Sequence, residues 1–306
     1  MRTAPARDVL VGVSHIDEIP GPDGRTIEVL TGGDPDGFPL LFHMGSPSAV
    51  AASAAIDAVA GAAGLRYVTF SRPGYGRSTP RPAPGRYADD VAESLVVLDH
   101  LGIGDFVTVG WSGGGPRALA CAALVPGRCR AAATLAGVAP YGAAGLDWFE
   151  GMAEENLEEY HTAEQGAEAY GALVEEQILP MLAATPDQIA DAMGGLVTPV
   201  DKAMVTDEFA DWMSRTFNHA GAQGAIGVRD DGLAAVAPWG FDLADITVPV
   251  AVWQGRQDAM VPYAHGAWLA AKVPGAQPHL FEDEGHLSLL GRLDEILHDL
   301  KQLAGL

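Results

Sequence analysis

Val109-Gly110-Trp111-Ser112-Gly113-Gly114-Gly115-Pro116 is the stretch on which the reading of this chain turns. It holds the spacing G-x-S-x-G in Gly110, Ser112 and Gly114, with an apolar run before it and a helical pattern after it. A serine driven into so sharp a strand-to-helix turn takes a strained backbone, and side chains two positions to either side would collide. The turn exposes the hydroxyl at the tip of a sheet and aims a helix N-terminus at whatever reacts there. A glycine-rich turn capped by an ordinary serine spells a similar string, so the partners elsewhere in the chain decide between the two.

Outward from this elbow, short apolar runs alternate with helical patterns. Strands are predicted at 26–30, 39–43, 66–70, 105–110 and 130–135, with helices at 50–63, 86–102 and 114–125. Within 86–102, Tyr87, Val91, Leu95, Leu98 and Leu101 fall three or four residues apart, on one helix face. The alternation stops near Pro140. Residues 141–240 are helical in pattern, acidic, and punctuated by Pro180, Pro186, Pro199 and Pro238. Strands at 248–254 and 277–281 and helices at 264–271 and 287–303 then resume it. The fold class expected is α/β: a mostly parallel central sheet flanked by helices, made by residues 1–140 plus 241–306. Residues 141–240 form an inserted helical cap domain. Ligands of such sheets bind at the carboxyl ends of the strands.

Composition bounds the rest. The chain has 306 residues, with 18 Lys+Arg against 40 Asp+Glu and a net charge of −22. That balance argues against a nucleic-acid surface or a polybasic membrane patch. Residues 131–201 contain no Lys or Arg and carry −13 of the −22. Cys121 and Cys129 lack the spacing of a zinc or redox site and read as buried small hydrophobes in a reducing compartment. The N-terminal residues have no long apolar region, and no apolar run suits a membrane span. A cytoplasmic protein is expected. His161 and His219 lack metal-like spacing with other ligands, so neither metal nor cofactor is expected.

A serine hydroxyl becomes a good nucleophile when an imidazole takes its proton and a carboxylate fixes the imidazole tautomer. Asp258 follows the 248–254 strand in a turn, and His286 follows the 277–281 strand on the loop Glu284-Gly285-His286. Either could be a plain turn or capping residue, but three placements at strand carboxyl ends in the order Ser112, Asp258, His286 point to a catalytic triad. An oxyanion needs two backbone N–H donors. Gly113 is predicted as one. The loop His43-Met44-Gly45-Ser46-Pro47 supplies the other, at Ser46, with Gly45 and Met44 as register alternatives.

These motifs resemble those of the serine-dependent α/β-hydrolase fold with a cap domain. The resemblance rests on the loop 43–47, on Ser71-Arg72-Pro73-Gly74-Tyr75-Gly76-Arg77-Ser78, on the elbow, and on the late Asp258/His286 pair. The chain departs from the usual pattern at Met44, where a His is common, and at Ser71, where an Asp is common. Ser112 sets it apart from the epoxide-hydrolase and haloalkane-dehalogenase branches, which use an aspartate there. The resemblance implies hydrolysis of a carboxylic ester, or a related acyl bond, of a small molecule through an acyl-enzyme. The alternative it implies is a proline-iminopeptidase-like aminopeptidase, whose cap carboxylates bind a substrate amino group. A lyase, a cyclase or a non-catalytic receptor on the same fold is the further alternative.

His43, Trp111, Trp148, Trp212 and Phe217 are the candidate substrate contacts, although most large residues of the insertion are expected in its own core. The cluster Glu150, Glu154, Glu155, Glu158 and Glu159 is expected as a solvated helix face. If one or two of these acids point inward, they would favour a cation. Neutral or cationic substrates are therefore expected over anionic ones; the oligomeric state is left open.

Overall fold

The computed structural model describes residues 12–306. Eight strands form one sheet in the order β1-β2-β4-β3-β5-β6-β7-β8. They are β1 (Gly12–Pro20), β2 (Thr26–Gly33), β3 (Phe38–His43), β4 (Leu65–Phe70), β5 (Phe106–Trp111), β6 (Cys129–Leu135), β7 (Val250–Gly255) and β8 (Gln277–Phe281). β2 runs antiparallel to both β1 and β4, and every other pairing is parallel. Between the strands lie α1 (Ala54–Ala62), α2 (Asp90–His100) and α3 (Gly115–Leu124), with α11 (Tyr263–Lys272) and α12 (Leu293–Leu303) near the end. β5 and β7 are buried along their whole length, as strands covered on both faces must be.

Every strand anticipated from the apolar runs is present, with ends shifted by a few residues. β1 was not anticipated. It is an edge strand whose residues His15 to Glu18 are all exposed, so no alternation of apolar and polar residues marks it. The helix expected at 50–63 begins only at Ala54, where the Ser53 hydroxyl accepts the Ile56 N–H and caps it. The helix expected over 287–303 is a 3-10 turn, Ser288–Arg292, followed by α12. Cys121 and Cys129 are both buried and unpaired, and burial pushes the Cys121 thiol up to about 12.

The chain reverses its direction of travel across the sheet between β3 and β5, which lie side by side although β4 comes between them in sequence. Loops leaving the two strands there diverge and open a crevice. The register pairs His43 with Gly110, so the loops after β3 and β5 leave the sheet at the same level.

The insertion lies between β6 and β7. It contains α4 (Glu154–Ala163), α5 (Ala167–Leu173), α6 (Leu179–Leu182), α7 (Ile189–Ala192), α8 (Pro199–Lys202), α9 (Asp207–Ala220) and α10 (Ile226–Val236). α9 buries Trp212, Met213 and Phe217. The Trp212 indole donates to the Ala51 carbonyl at 3.2 Å, tying the insertion to the loop before α1. No helix among the described residues is long and apolar enough to cross a membrane.

Candidate active site

The elbow is built as its glycines require. Ser112 has φ 55°, in the left-handed region that costs a non-glycine residue about 1–3 kcal/mol. A Cβ on Gly110 would lie 2.1 Å from the Gly114 carbonyl oxygen, and a Cβ on Gly114 would lie 2.0 Å from that of His43. Both contacts are impossible, so the strand, the turn and the β3 loop close on one another only with glycine at these two positions. Ser112 begins a 3-10 turn, Ser112–Gly114, that runs into the buried α3.

Asp258 and His286 meet beside the cavity that Ser112 lines. His286 Nδ1 lies 2.8 Å from Asp258 Oδ2, and both side chains are buried. Asp258 Oδ1 accepts the N–H groups of Met260 at 2.9 Å and Val261 at 2.8 Å, while Gln254 Nε2 donates to Oδ2 at 3.1 Å. The turn after β7 thus fixes the carboxylate, and the carboxylate fixes the imidazole. Burial alone would lower the imidazole pKa, but the charge and hydrogen bond of Asp258, with the charge of Asp201, raise it above the ordinary value. Trp111 completes the cradle: its ring centroid is 5.6 Å from that of His286, and its Nε1–H donates to the His286 carbonyl at 3.3 Å.

Ser112, Gly113, Gly45, Ser46, Trp111 and His286 line one cavity of about 100 Å³, roofed by the insertion through Met213, Phe217 and Glu159 among others. Ser46 and Gly113 face each other closely: a Cβ on Gly113 would lie 2.5 Å from Ser46 Oγ and 3.4 Å from Ser46 N. Of the candidate substrate contacts, Trp111 and Phe217 lie on the cavity wall. His43, Trp148 and Trp212 lie elsewhere. His43 points to the opposite side of the sheet, near Cys121 Sγ at 3.7 Å, because side chains alternate along β3. Its pKa is lowered to about 3 by burial and by the charges of Arg117 and Arg72. Trp148 packs with Val138, Met152 and Val261 and donates to the Ala139 carbonyl at 2.9 Å.

Sequence reasoning missed the charged residues that hold the loops after β3 and β5. Asp231, on α10, is a hub. It accepts hydrogen bonds from Ser46 Oγ at 2.6 Å, Tyr75 OH at 3.0 Å, Arg72 Nη2 at 2.5 Å and Arg117 Nη2 at 2.6 Å. Arg72 also donates to the carbonyls of Met44 at 2.8 Å and Gly45 at 2.9 Å. Arg117 donates to the carbonyl of Gly113 at 2.6 Å. Burial would raise the Asp231 pKa, yet Arg117 and Arg72 hold it well below the carboxylate range. The chain of charges continues through Asp90, Arg81, Glu93 and Arg25. Ser71, at the position where an Asp is common, donates to Glu28 at 2.8 Å and accepts the Val50 N–H at 3.0 Å, a local structural role.

Of the glutamate cluster, Glu150, Glu154, Glu155 and Glu158 are exposed. Glu159 instead lines the cavity and accepts the Tyr170 hydroxyl. Burial, partly opposed by that hydrogen bond, raises its pKa, and the Asp231 charge adds to the rise. Among the described residues, no group of three or more His, Cys, Asp or Glu side chains has the geometry to hold a metal ion.

The chain belongs to the alpha/beta hydrolase fold family, whose model matches residues 39–293. Members of this family are enzymes, hydrolases among them. The chain is 29% identical over 263 residues to a non-heme chloroperoxidase of Streptomyces lividans, covering 82% of this chain and 85% of that one. It is 27% identical over 261 residues to a 2-hydroxymuconate semialdehyde hydrolase of Pseudomonas putida, covering 82% and 81%. Among solved structures, a bromoperoxidase from Bacillus anthracis matches with a TM-score of 0.69 at 18% identity, over 95% of this chain and 99% of that one. An esterase from Thermogutta terrifontis matches with a TM-score of 0.64 at 19% identity over the same shares. At these identities the structural likeness carries the fold alone.

Proposed function

We propose that the protein is a serine hydrolase that cleaves a carboxylic ester, or a related acyl bond, of a small molecule through an acyl-enzyme. The observation behind this reading is that Ser112, His286, Ser46 and Gly113 share one cavity, with Asp258 hydrogen-bonded behind the histidine. Ser112 Oγ attacks the carbonyl carbon while His286 Nε2 takes the hydroxyl proton, and the carbonyl oxygen becomes an oxyanion. The N–H groups of Gly113 and Ser46 donate to it. The tetrahedral intermediate collapses, the ester C–O bond breaks, and the leaving alkoxide departs as the alcohol with the proton from His286. Water then attacks the acyl-enzyme by the same route, releasing the acid and restoring Ser112. Asp258 stays ionised throughout and offsets the imidazolium charge. The base and each oxyanion donor contribute on the order of 10²–10³-fold. Residues 141–240 act as the cap over a core of residues 1–140 plus 241–306.

The test is labelling by a fluorophosphonate, which reacts only with an activated serine. Folded protein that resists the probe would favour the receptor reading.

The pH profile is a second check. His286 must be neutral to accept the proton, and its pKa is raised, so it stays protonated to a higher pH than an ordinary histidine. The kcat/KM for a neutral ester should therefore fall as pH drops through a value above about 6.5. Asp258→Asn should move that limb downward and cut the plateau. A wild-type limb below about pH 6 would contradict this account of the base.

Glu159 supports a second reading, that of an aminopeptidase. It is a carboxylate in the cavity whose hydrogen bond comes from a neutral phenol. A substrate ammonium would supply the missing countercharge. Comparing a neutral ester with an α-amino anilide separates the two readings. If the amine is recognised here, Glu159→Gln should lower the amino-to-neutral ratio of kcat/KM by about tenfold, the equivalent of about 1.4 kcal/mol. An unchanged ratio would leave the ester reading alone.

A further inference from the structure

The histidine loop is held from outside itself. Asp201, on α8 of the insertion, is fully buried. Its carboxylate accepts three consecutive backbone N–H groups: His286 at 3.1 Å, Leu287 at 2.8 Å and Ser288 at 3.0 Å. Thr198 Oγ1 donates to it at 3.1 Å. These N–H groups are the open donors at the start of the 3-10 turn Ser288–Arg292. A side chain beside the turn ordinarily fills such a role. Here a residue 85 positions away does so. The loop is shaped to admit it, since a Cβ on Gly285 would lie 2.5 Å from Asp201 Oδ1. Burying a carboxylate without a cation is costly, and the three N–H groups offset that cost only while His286 and its neighbours keep this backbone path.

We propose that Asp201 is a positioning residue for the base: the insertion holds the backbone of His286 in register, so the cap and the base form one unit. This inference rests on the reading of Ser112 and His286 given above. Asp201 has a second consequence, through its charge. The charged groups that act on His286 are Asp258 from the β7 turn and Asp201 from α8, and the Trp111 ring packs beside the imidazole. On its own loop Glu284 is occupied by Arg292 and Ser288. Among the described residues, Asp201 is the carboxylate besides Asp258 that adds to the raised pKa of His286. A residue that merely stabilised the fold would leave the pH dependence of the base where it is.

The experiment follows the rate of fluorophosphonate labelling against pH for wild type, Asp201→Asn and Asp201→Glu, with Ser112→Ala as the blank. Asp201→Asn should lower the alkaline plateau at least tenfold and move the acid limb down by about half a pH unit, since a nearby negative charge is gone. Asp201→Glu keeps the charge but misplaces it, so the plateau falls while the limb stays. A plateau for Asp201→Asn within twofold of wild type, or a limb that does not move, would overturn the proposal. Should Asp201→Asn fail to fold, a wild-type plateau in Asp201→Glu would overturn it instead. Wild type that labels no faster than Ser112→Ala would refute the nucleophile itself, a failure visible before any Asp201 variant is compared, and the proposal would fall with it.

Discussion

Ser112→Ala is expected to abolish turnover of a neutral ester while leaving the protein folded. Removing the nucleophile of a triad costs on the order of 10⁶-fold in kcat, because the base and the oxyanion donors act through it and their contributions do not survive separately. Stability should change little. Alanine at φ 55° carries the same left-handed strain as serine, and the contacts that enforce the turn come from Gly110 and Gly114. Ser112→Gly sharpens the argument. Glycine relieves the strain, so this variant should be equally inactive and at least as stable, by up to about 1 kcal/mol. Steady-state hydrolysis and thermal unfolding of the purified variants check both halves. Activity of Ser112→Ala within tenfold of wild type would sink the assignment of the nucleophile.

The second large effect is expected at Asp231, and it is one of stability and activity together. Asp231→Ala strips the carboxylate from between Arg72 and Arg117, both buried, and leaves two guanidinium groups without their shared partner. Breaking a buried ion pair from one side costs about 3–5 kcal/mol when the charge left behind is uncompensated; Arg72 is left in that position, whereas Arg117 keeps Asp90. Against a total stability of about 5–15 kcal/mol, that is enough to bring the protein close to unfolding. The carbonyls of Met44, Gly45 and Gly113 accept from these same arginines, so both loops that carry the proposed oxyanion donors lose their anchor. A triple variant tells stability from positioning. Arg72→Met, Arg117→Met and Asp231→Leu together remove the charges that meet at Asp231 and leave Asp90 paired with Arg81, so part of the stability should return while kcat stays low. Urea unfolding with parallel ester kinetics measures this. A midpoint shift worth less than about 1 kcal/mol in Asp231→Ala, with kcat unchanged, would refute the role of the hub.

Legibility differed sharply between parts of the site. The elbow is local: Gly110 and Gly114 are excluded from other identities by atoms a few residues away or on the adjacent strand, so the motif and its geometry are nearly the same statement. Asp258 and His286 were legible because each follows a recognisable strand. Asp231 was not, since an aspartate within Arg229-Asp230-Asp231 on a helix has no sequence feature that separates a buried hub from a solvated face. Arg72 lay inside a segment singled out by its resemblance, yet its role comes only from tertiary contacts: to Asp231, 159 residues away, and to the carbonyls of Met44 and Gly45. The substrate candidates fared unevenly for a related reason. Large residues in a helical insertion are needed for its own core, and nothing in their spacing tells Phe217, on the cavity wall, from Trp148, inside a separate cluster.

The sequence alone determined the fold class, the order of the chain through it and the turn that presents Ser112, because periodicity, glycine sterics and strand ends are short-range constraints. Only the tertiary structure decided which charges are buried and whom they meet. Residues 131–201 carry −13 of the −22, yet nearly all of those acids are ordinary surface. Glu159 and Asp201 are set apart from their neighbours by where the chain folds back, one facing the cavity and the other gripping the histidine loop. The energy of a carboxylate depends on its surroundings rather than on its identity, and those surroundings come into being only when distant segments are brought together.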